Sequence, residues 1–129
     1  MAGRVQLMLE STNSITPHAK AGRVRGLGVT GPRRAAVLPD IPTIAEAGVP
    51  GYEATTWTGL VAPVGLPQPI LRRLNAEVNA MAASAVYKEK VNAIGSEPMT
   101  GTSEEFSRFI RSESAKWSGV IKRAGVRID

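Results

Sequence analysis

The stretch LPDIPTIAEAGVPGYEATTWTGLVAPVGLP, from Leu38 to Pro67, decides how this chain is read. Nearly every position in it constrains the backbone. Pro39 and Pro42 remove two N–H donors and push Leu38 and Ile41 away from helical geometry. Thr43 and Glu46 stand at capping-box spacing, so the Thr43 hydroxyl can accept from a backbone N–H one turn in while the Glu46 carboxylate reaches back. Gly48 closes a helix barely over a turn long, and Pro50-Gly51 marks a turn. Tyr52 to Ala62 is then an extended run whose two aromatics, three threonines and one valine suit a strand. Gly65-Leu66-Pro67-Gln68-Pro69 opens the next helix, with Pro67 tolerable near its first position.

On the N-terminal side, Val5–Leu9 is short and mostly apolar, the pattern of a buried strand. Ser11-Thr12-Asn13-Ser14 supplies capping residues, and a short helix over Thr16–Ala21 ends at Gly22. Val24–Val29 is the next strand, broken by Thr30-Gly31-Pro32. On the C-terminal side, Ile70, Leu71, Leu74, Val78 and Met81 recur at helical intervals and make one apolar face. Ser84 caps a second helix through Val86, Val91 and Ile94, ended by Gly95, and Pro98–Thr100 can form a strand edge. The last helix has the fullest local signals. Thr102 and Glu105 form a capping box, Phe106, Phe109, Ile110, Trp117, Val120, Ile121 and Ala124 share a face, Lys122 and Arg123 suit the negative end of the dipole, and Gly125 falls at C′. On that face Trp117 is expected in the core. The order of elements argues for an α/β sandwich.

The same residues, in this order, resemble the Bug family, the periplasmic solute receptors of tripartite tricarboxylate transporters. The resemblance rests on Pro39-Asp40, Pro42-Thr43, Glu46-Ala47-Gly48, Gly51-Tyr52-Glu53, Trp57, Gly59, Ala62-Pro63, Gly65 and Pro67. It extends to AGRVRGLGVTGPRR (Ala21–Arg34), RLNAEVNAMAAS (Arg73–Ser84) and EPMTGTSEEFSRFIRSESAKWSGVIKRAGV (Glu97–Val126). It also takes Ala2–Met8 as a strand. It implies an α/β fold, part of a type II periplasmic binding protein, with the end of the second lobe over residues 1–50. The hinge strand and the C-terminal helical part of the first lobe then fall in residues 51–129. The likeness is to the C-terminal portion of the family. The family's glycine-rich ligand loop has no counterpart here, so the chain is read as a fragment, a truncated gene product or a remnant reading frame. Two half-lobes would expose sheet edges and be marginally stable alone.

The resemblance further implies capture of a small organic anion, a carboxylate, for delivery to the membrane permease subunits of the transporter. It implies a periplasmic, monomeric full-length protein, no cofactor and no enzymatic reaction. MAGRVQLMLE has no charged segment followed by an apolar one, so no export signal is expected in the chain as given. No run nears the roughly 20 apolar residues of a membrane span, so no membrane insertion is expected.

Composition narrows the alternatives. There is no cysteine, which rules out disulfides and thiolate metal sites. The net charge is +5 and the pI about 10.1. That pI keeps a small basic nucleic-acid-binding protein as the alternative function. Against it, Arg33-Arg34, Arg72-Arg73 and Lys122-Arg123 are isolated pairs, which reads as a solvated surface and no nucleic-acid partner. The single histidine, His18, has no evident orienting partner or nucleophile and is expected on the surface. No catalytic and no metal-ligand constellation occurs.

Five residues are the candidates for solute binding. Ser11, Thr12 and Asn13 follow one expected strand and open a helix, where ligands of open α/β sheets collect and free N–H groups attract anions. Thr30 ends the next expected strand. Trp57 can line the cleft between lobes or pack the hinge. Glu46 and Asp40 are expected to brace the PDIPT turn.

Overall fold

A computed structural model describes residues 4–127 of the chain. Four helices form: α1 (Thr12–Lys20), α2 (Gln68–Ala83), α3 (Ala85–Ala93) and α4 (Ser103–Ala124). They belong to two compact units, one of Met1–Val64 with Ala83–Pro98 and one of Gly65–Ala82 with Met99–Asp129.

The helix ends follow from their caps. At α4 the Thr102 hydroxyl accepts from the Glu105 N–H at 3.1 Å, and a Glu105 carboxylate oxygen accepts from the Thr102 N–H at 2.8 Å. Gly125 then takes a left-handed conformation and its N–H returns to Lys122. Thr102→Ala is expected to cost about 1 kcal/mol in chemical unfolding, the usual loss for a missing N-cap. At α3 the Ser84 hydroxyl accepts from the Tyr87 N–H at 3.3 Å. Gly95, at φ +75°, closes its other end, and the Ser96 N–H reaches back to the Val91 carbonyl at 3.1 Å. At α2 the Pro67 carbonyl accepts from both Ile70 and Leu71. Pro69 falls in the first turn, where a missing N–H costs nothing.

In the second unit a side-chain clamp holds the loop before α4 onto α2. Asn79 Nδ2 donates to the Gly101 carbonyl at 2.9 Å, and Asn79 Oδ1 accepts from the Gly101 N–H at 2.8 Å. Asn75 Nδ2 donates to the same carbonyl at 3.0 Å. The asparagine pair in LNAEVN thus lies one turn apart on one face and reads the backbone of a single glycine. Asn79→Ala is expected to lower stability by about 1–2 kcal/mol, two lost hydrogen bonds to backbone groups. Faster amide exchange at Gly101 would locate the effect there.

Several expectations are corrected. Among the described residues no β-ladder forms. The only pairing is a parallel bridge between Val29 and Thr43, with Val29 donating to Pro42 and Ile44 donating back to Val29, both at 2.9 Å. Val24–Val29 is therefore a bridge at its end and not a strand. Val5–Leu9, Tyr52–Ala62 and Pro98–Thr100 are irregular or extended backbone that belongs to no ladder among the described residues. β-Propensity makes a segment extended, but a strand exists only where a neighbour takes its N–H and C=O groups. Val5, Leu7 and Leu9 are exposed, not buried; Ala2 and Gly3 lie outside the described residues. The helix expected from Thr16 starts earlier, at Thr12, with Pro17 inside it. The segment after Thr43 is a hydrogen-bonded turn and not a helix: the N–H groups of Ala47, Gly48 and Val49 donate to the carbonyls of Thr43, Ala45 and Ile44 at 2.9, 3.4 and 3.2 Å.

The core is correspondingly thin. Only Ala82 and Thr43 are buried among the described residues. Phe106 and Phe109 stack at 6.4 Å between ring centroids and are half-buried. Trp117, expected in the core, is 36% exposed. Its ring is instead held locally: Nε1 donates to Glu113 at 2.9 Å and the Lys116 ammonium stands 5.5 Å from the ring centre. His18 departs in the other direction. It is half-buried, and its Nδ1 is shielded from solvent without a hydrogen-bond partner.

Candidate functional site

All five candidate residues fall in the first unit, Met1–Val64 with Ala83–Pro98. The start of α1 is the best-defined part. Ser11 is extended, φ −66° and ψ 142°, and its carbonyl accepts from the N–H groups of Ser14 and Ile15. Its side chain does not cap the helix. It donates to Glu10 Oε1 at 3.1 Å, and the Ser11 N–H donates to the same oxygen at 2.9 Å. A carboxylate already sits against this backbone, and it is the protein's own. The Ser11 N–H, followed by the hydroxyls of Ser14 and Ser11, holds the Glu10 carboxyl below the usual carboxylate range.

Thr12 turns its methyl inward. A Cβ placed on Gly95 would fall 2.6 Å from Thr12 Cγ2 and 2.9 Å from Val37 Cγ2. Thr12 therefore packs on the bare backbone that ends α3, and this fixes where α1 begins. Sequence reasoning did not find this contact. Its available signal was the left-handed Gly95 at C′, where the absent side chain also allows close approach. The Thr12 carbonyl accepts from the Thr16 hydroxyl at 2.7 Å. Asn13 is exposed.

Thr30 follows the bridge residue Val29, and its carbonyl accepts from the Ala54 N–H at 2.9 Å. That bond ties the end of one expected strand to the start of another. Thr30 is half-buried, and Trp57, three residues beyond Ala54, is 40% exposed.

The PDIPT turn braces this region. Thr43 N–H donates to Glu46 Oε2 at 2.8 Å and Thr43 Oγ1 accepts from the Glu46 N–H at 3.0 Å, the reciprocal pattern expected from sequence. Arg34 adds a donor from Nε to the same Glu46 oxygen at 2.9 Å and one from its guanidinium to the Pro39 carbonyl at 3.2 Å. The Thr43 N–H, then Arg34, holds the Glu46 carboxyl below its ordinary range. A lowered folded-state value means this brace is intact above the unfolded value and lost as pH falls through the folded one. NMR titration is expected to show a Glu46 midpoint below the ordinary value of about 4.3, with the Thr43 amide shift following the same midpoint. An ordinary midpoint would mean the brace does not persist in solution.

Two open concavities of about 430 and 410 Å³ lie in the second unit, lined by residues of α2 and α4 such as Leu71, Arg72 and Arg108. Neither is lined by a candidate residue. No group of three or more potential metal ligands exists among the described residues, and no described helix is long and apolar enough to cross a membrane.

The architecture is shared with periplasmic binding proteins. A structure described as R. palustris Rpa4515 with adipate superposes with a TM-score of 0.84 at 41% identity, covering 95% of this chain and 41% of that one. The structure of the periplasmic binding protein BugD gives a TM-score of 0.77 at 30% identity, covering 88% of this chain and 38% of that one. The family described as tripartite tricarboxylate transporter family receptor matches residues 1–126, and the chain belongs to it. Among curated relatives, a UPF0065 protein from the tcbD-tcbE intergenic region of Pseudomonas sp. strain P51 is 41% identical over 94% of this chain and 36% of its own length. Protein BugT of Bordetella pertussis is 29% identical over 99% of this chain and 39% of its own. The chain thus spans between a third and two fifths of these relatives.

Proposed function

We propose that this chain forms part of a solute receptor that captures a small organic carboxylate between two lobes and passes it to the permease of a tripartite tricarboxylate transporter. The observation that carries this reading is the 0.84 superposition on a 41% identical protein whose structure was solved with adipate. In this reading the fold is part of a type II periplasmic binding protein. Residues 1–50 belong to the second lobe and residues 51–129 to the hinge strand and first lobe. The working protein is periplasmic and monomeric and catalyses no reaction. Ser11, Thr12, Asn13, Thr30 and Trp57 face the solute. Binding by hydroxyls and helix N–H groups suits a carboxylate, as the hold of Ser11 on Glu10 illustrates. Closure of one lobe on the other follows from contacts available only when both are present.

The test is calorimetry with a panel of mono-, di- and tricarboxylates. It compares the chain alone with the chain joined to the portion of Rpa4515 that it does not span. The joined protein is expected to bind a dicarboxylate. The chain alone is expected not to bind, because a ligand enclosed on one side leaves most of its surface in water. Micromolar binding by the chain alone would sink the two-lobe reading, and silence from the joined protein across the panel would sink the carboxylate reading.

A further inference from the structure

The two concavities of the second unit lie side by side, since Ser103 and Glu104 line both. Together they make one groove along α2 and α4. Arg72 comes to it from α2, and Arg108 and Arg111 come from α4. Three guanidiniums against the one carboxylate of Glu104 leave the groove net positive. None of the three makes an ion pair or a hydrogen bond with another described residue. Elsewhere the chain neutralises its arginines: Arg33 pairs with Glu97, Arg34 with Glu46, and Arg73, beside Arg72, with Glu77. In the groove it does the reverse. Arg108 and Arg111 stand at i,i+3 on one helix, where like charges repel. Glu104 stands at i,i+4 before Arg108, the favoured order for a helical pair, and does not pair with it. Glu105 feels the Arg108 charge, but its Oε2 is taken by the Thr102 N–H.

The groove is also not the side that packing uses. At 3.6 residues per turn, Arg108 and Arg111 lie roughly 140–160° round α4 from Phe106. By the same spacing Arg72 lies roughly 160–180° round α2 from Leu74 and Met81. The apolar stripes of both helices turn away from the groove, so polypeptide packed on those stripes leaves it open.

We propose that this groove docks an acidic segment of a partner protein, with carboxylates against Arg72, Arg108 and Arg111 and an apolar side chain on Leu71. A guanidinium offers two parallel donors to the two oxygens of a carboxylate. Gln68, Ser103 and Ser107 line the groove with side-chain donors that no other described residue engages, and these can serve the segment's backbone. Other occupants fit less well. A second copy of the chain carries the same net charge of +5. Nucleic acid would set its phosphates against Glu104, and no aromatic ring lines either concavity for a base to stack on. A small anion would keep most of its surface in water in so open a groove. The proposal goes beyond the solute reading and does not rest on it, because every candidate solute residue is in the first unit.

The test is fluorescence anisotropy of the full chain with a labelled oligoglutamate peptide that carries one central leucine. Binding is expected at low salt and is expected to weaken as salt screens it. Arg72→Gln, Arg108→Gln and Arg111→Gln should each weaken it about two- to fivefold, the size of an exposed ion pair. The triple variant should lose about tenfold or more. Glu104→Gln should tighten binding about twofold by removing the groove's one like charge. Arg25→Gln makes the same change of charge in the first unit and should alter nothing. All five side chains are exposed, so helical circular dichroism should not change. Four outcomes would overturn the proposal: no binding by the parent chain; an equal loss on Arg25→Gln, which would make net charge the cause; equal binding of the peptide with Gln in place of Glu; or stronger binding of oligothymidylate or anionic phospholipid vesicles through the same arginines. A chain that takes the peptide while the joined two-lobe protein takes no carboxylate would end the solute reading and leave this one standing.

Discussion

Gly95→Ala is expected to destabilise the first unit by about 2–5 kcal/mol. Two costs combine. At φ +75° a residue with a Cβ loses about 1–2 kcal/mol relative to glycine. The new methyl would also lie 2.6 Å from Thr12 Cγ2 and 2.9 Å from Val37 Cγ2, and overpacking of that kind costs about 1–3 kcal/mol. Urea unfolding measures the sum, and a second substitution separates the parts. Thr12→Ser removes Cγ2 and keeps the hydroxyl. In the Gly95→Ala background it should recover about 1 kcal/mol, a non-additive gain that only neighbours show. If Gly95→Ala stays within about 0.5 kcal/mol of the parent, α1 does not rest on the end of α3, and the placement of Thr12 falls with it.

What could be read in the sequence was what is local. The capping boxes at Thr43/Glu46 and Thr102/Glu105 form with the predicted donors and acceptors. Ser84 caps α3 as expected, and Gly95 and Gly125 close their helices in left-handed conformations. Each signal is complete within about five residues. Strands are not local. Tyr52–Ala62 has the right residues and an extended backbone, but among the described residues no neighbouring strand completes a ladder. Trp117 departs as well: its helical face is apolar, yet its ring is 36% exposed and held by Glu113 and Lys116 of its own helix. Where the chain meets itself at long range, at Gly95 on Thr12 or Asn79 on Gly101, the sequence holds only half of each message. A left-handed glycine and an asparagine pair at helical spacing say that something comes close, not what.

The basic surface finds a structural use in part. Arg34 braces Glu46, Arg73 pairs with Glu77 at 2.7 Å and Arg33 pairs with Glu97. These pairs are exposed and contribute little stability each. They do show the cations dispersed among acids, which weakens the case for a continuous nucleic-acid face. A modest positive field remains, and it favours the arrival of an anion.

Thr12→Val and Thr30→Val are expected to lower affinity for a dicarboxylate in the joined two-lobe protein by about 1.5–3 kcal/mol each, the range for a hydrogen bond to a charged group. That is a loss of roughly 10- to 150-fold. These two substitutions isolate the hydroxyl. Valine at position 12 keeps the methyl against Gly95, and the Thr12 carbonyl still accepts from Thr16. At position 30 the bond to the Ala54 N–H is made by the backbone and survives any side chain. Ser11 would be a poorer probe, because its hydroxyl and N–H are engaged by Glu10 and a solute carboxylate would have to displace that group first. Stability should therefore move by no more than about 0.5 kcal/mol, as for a surface substitution, while affinity falls. The measurement is calorimetry beside thermal melts for the parent and both variants. Unchanged affinity with a lowered melting temperature would make these threonines structural, and the solute would have to be sought elsewhere than at the start of α1 and the end of the Val24–Val29 segment.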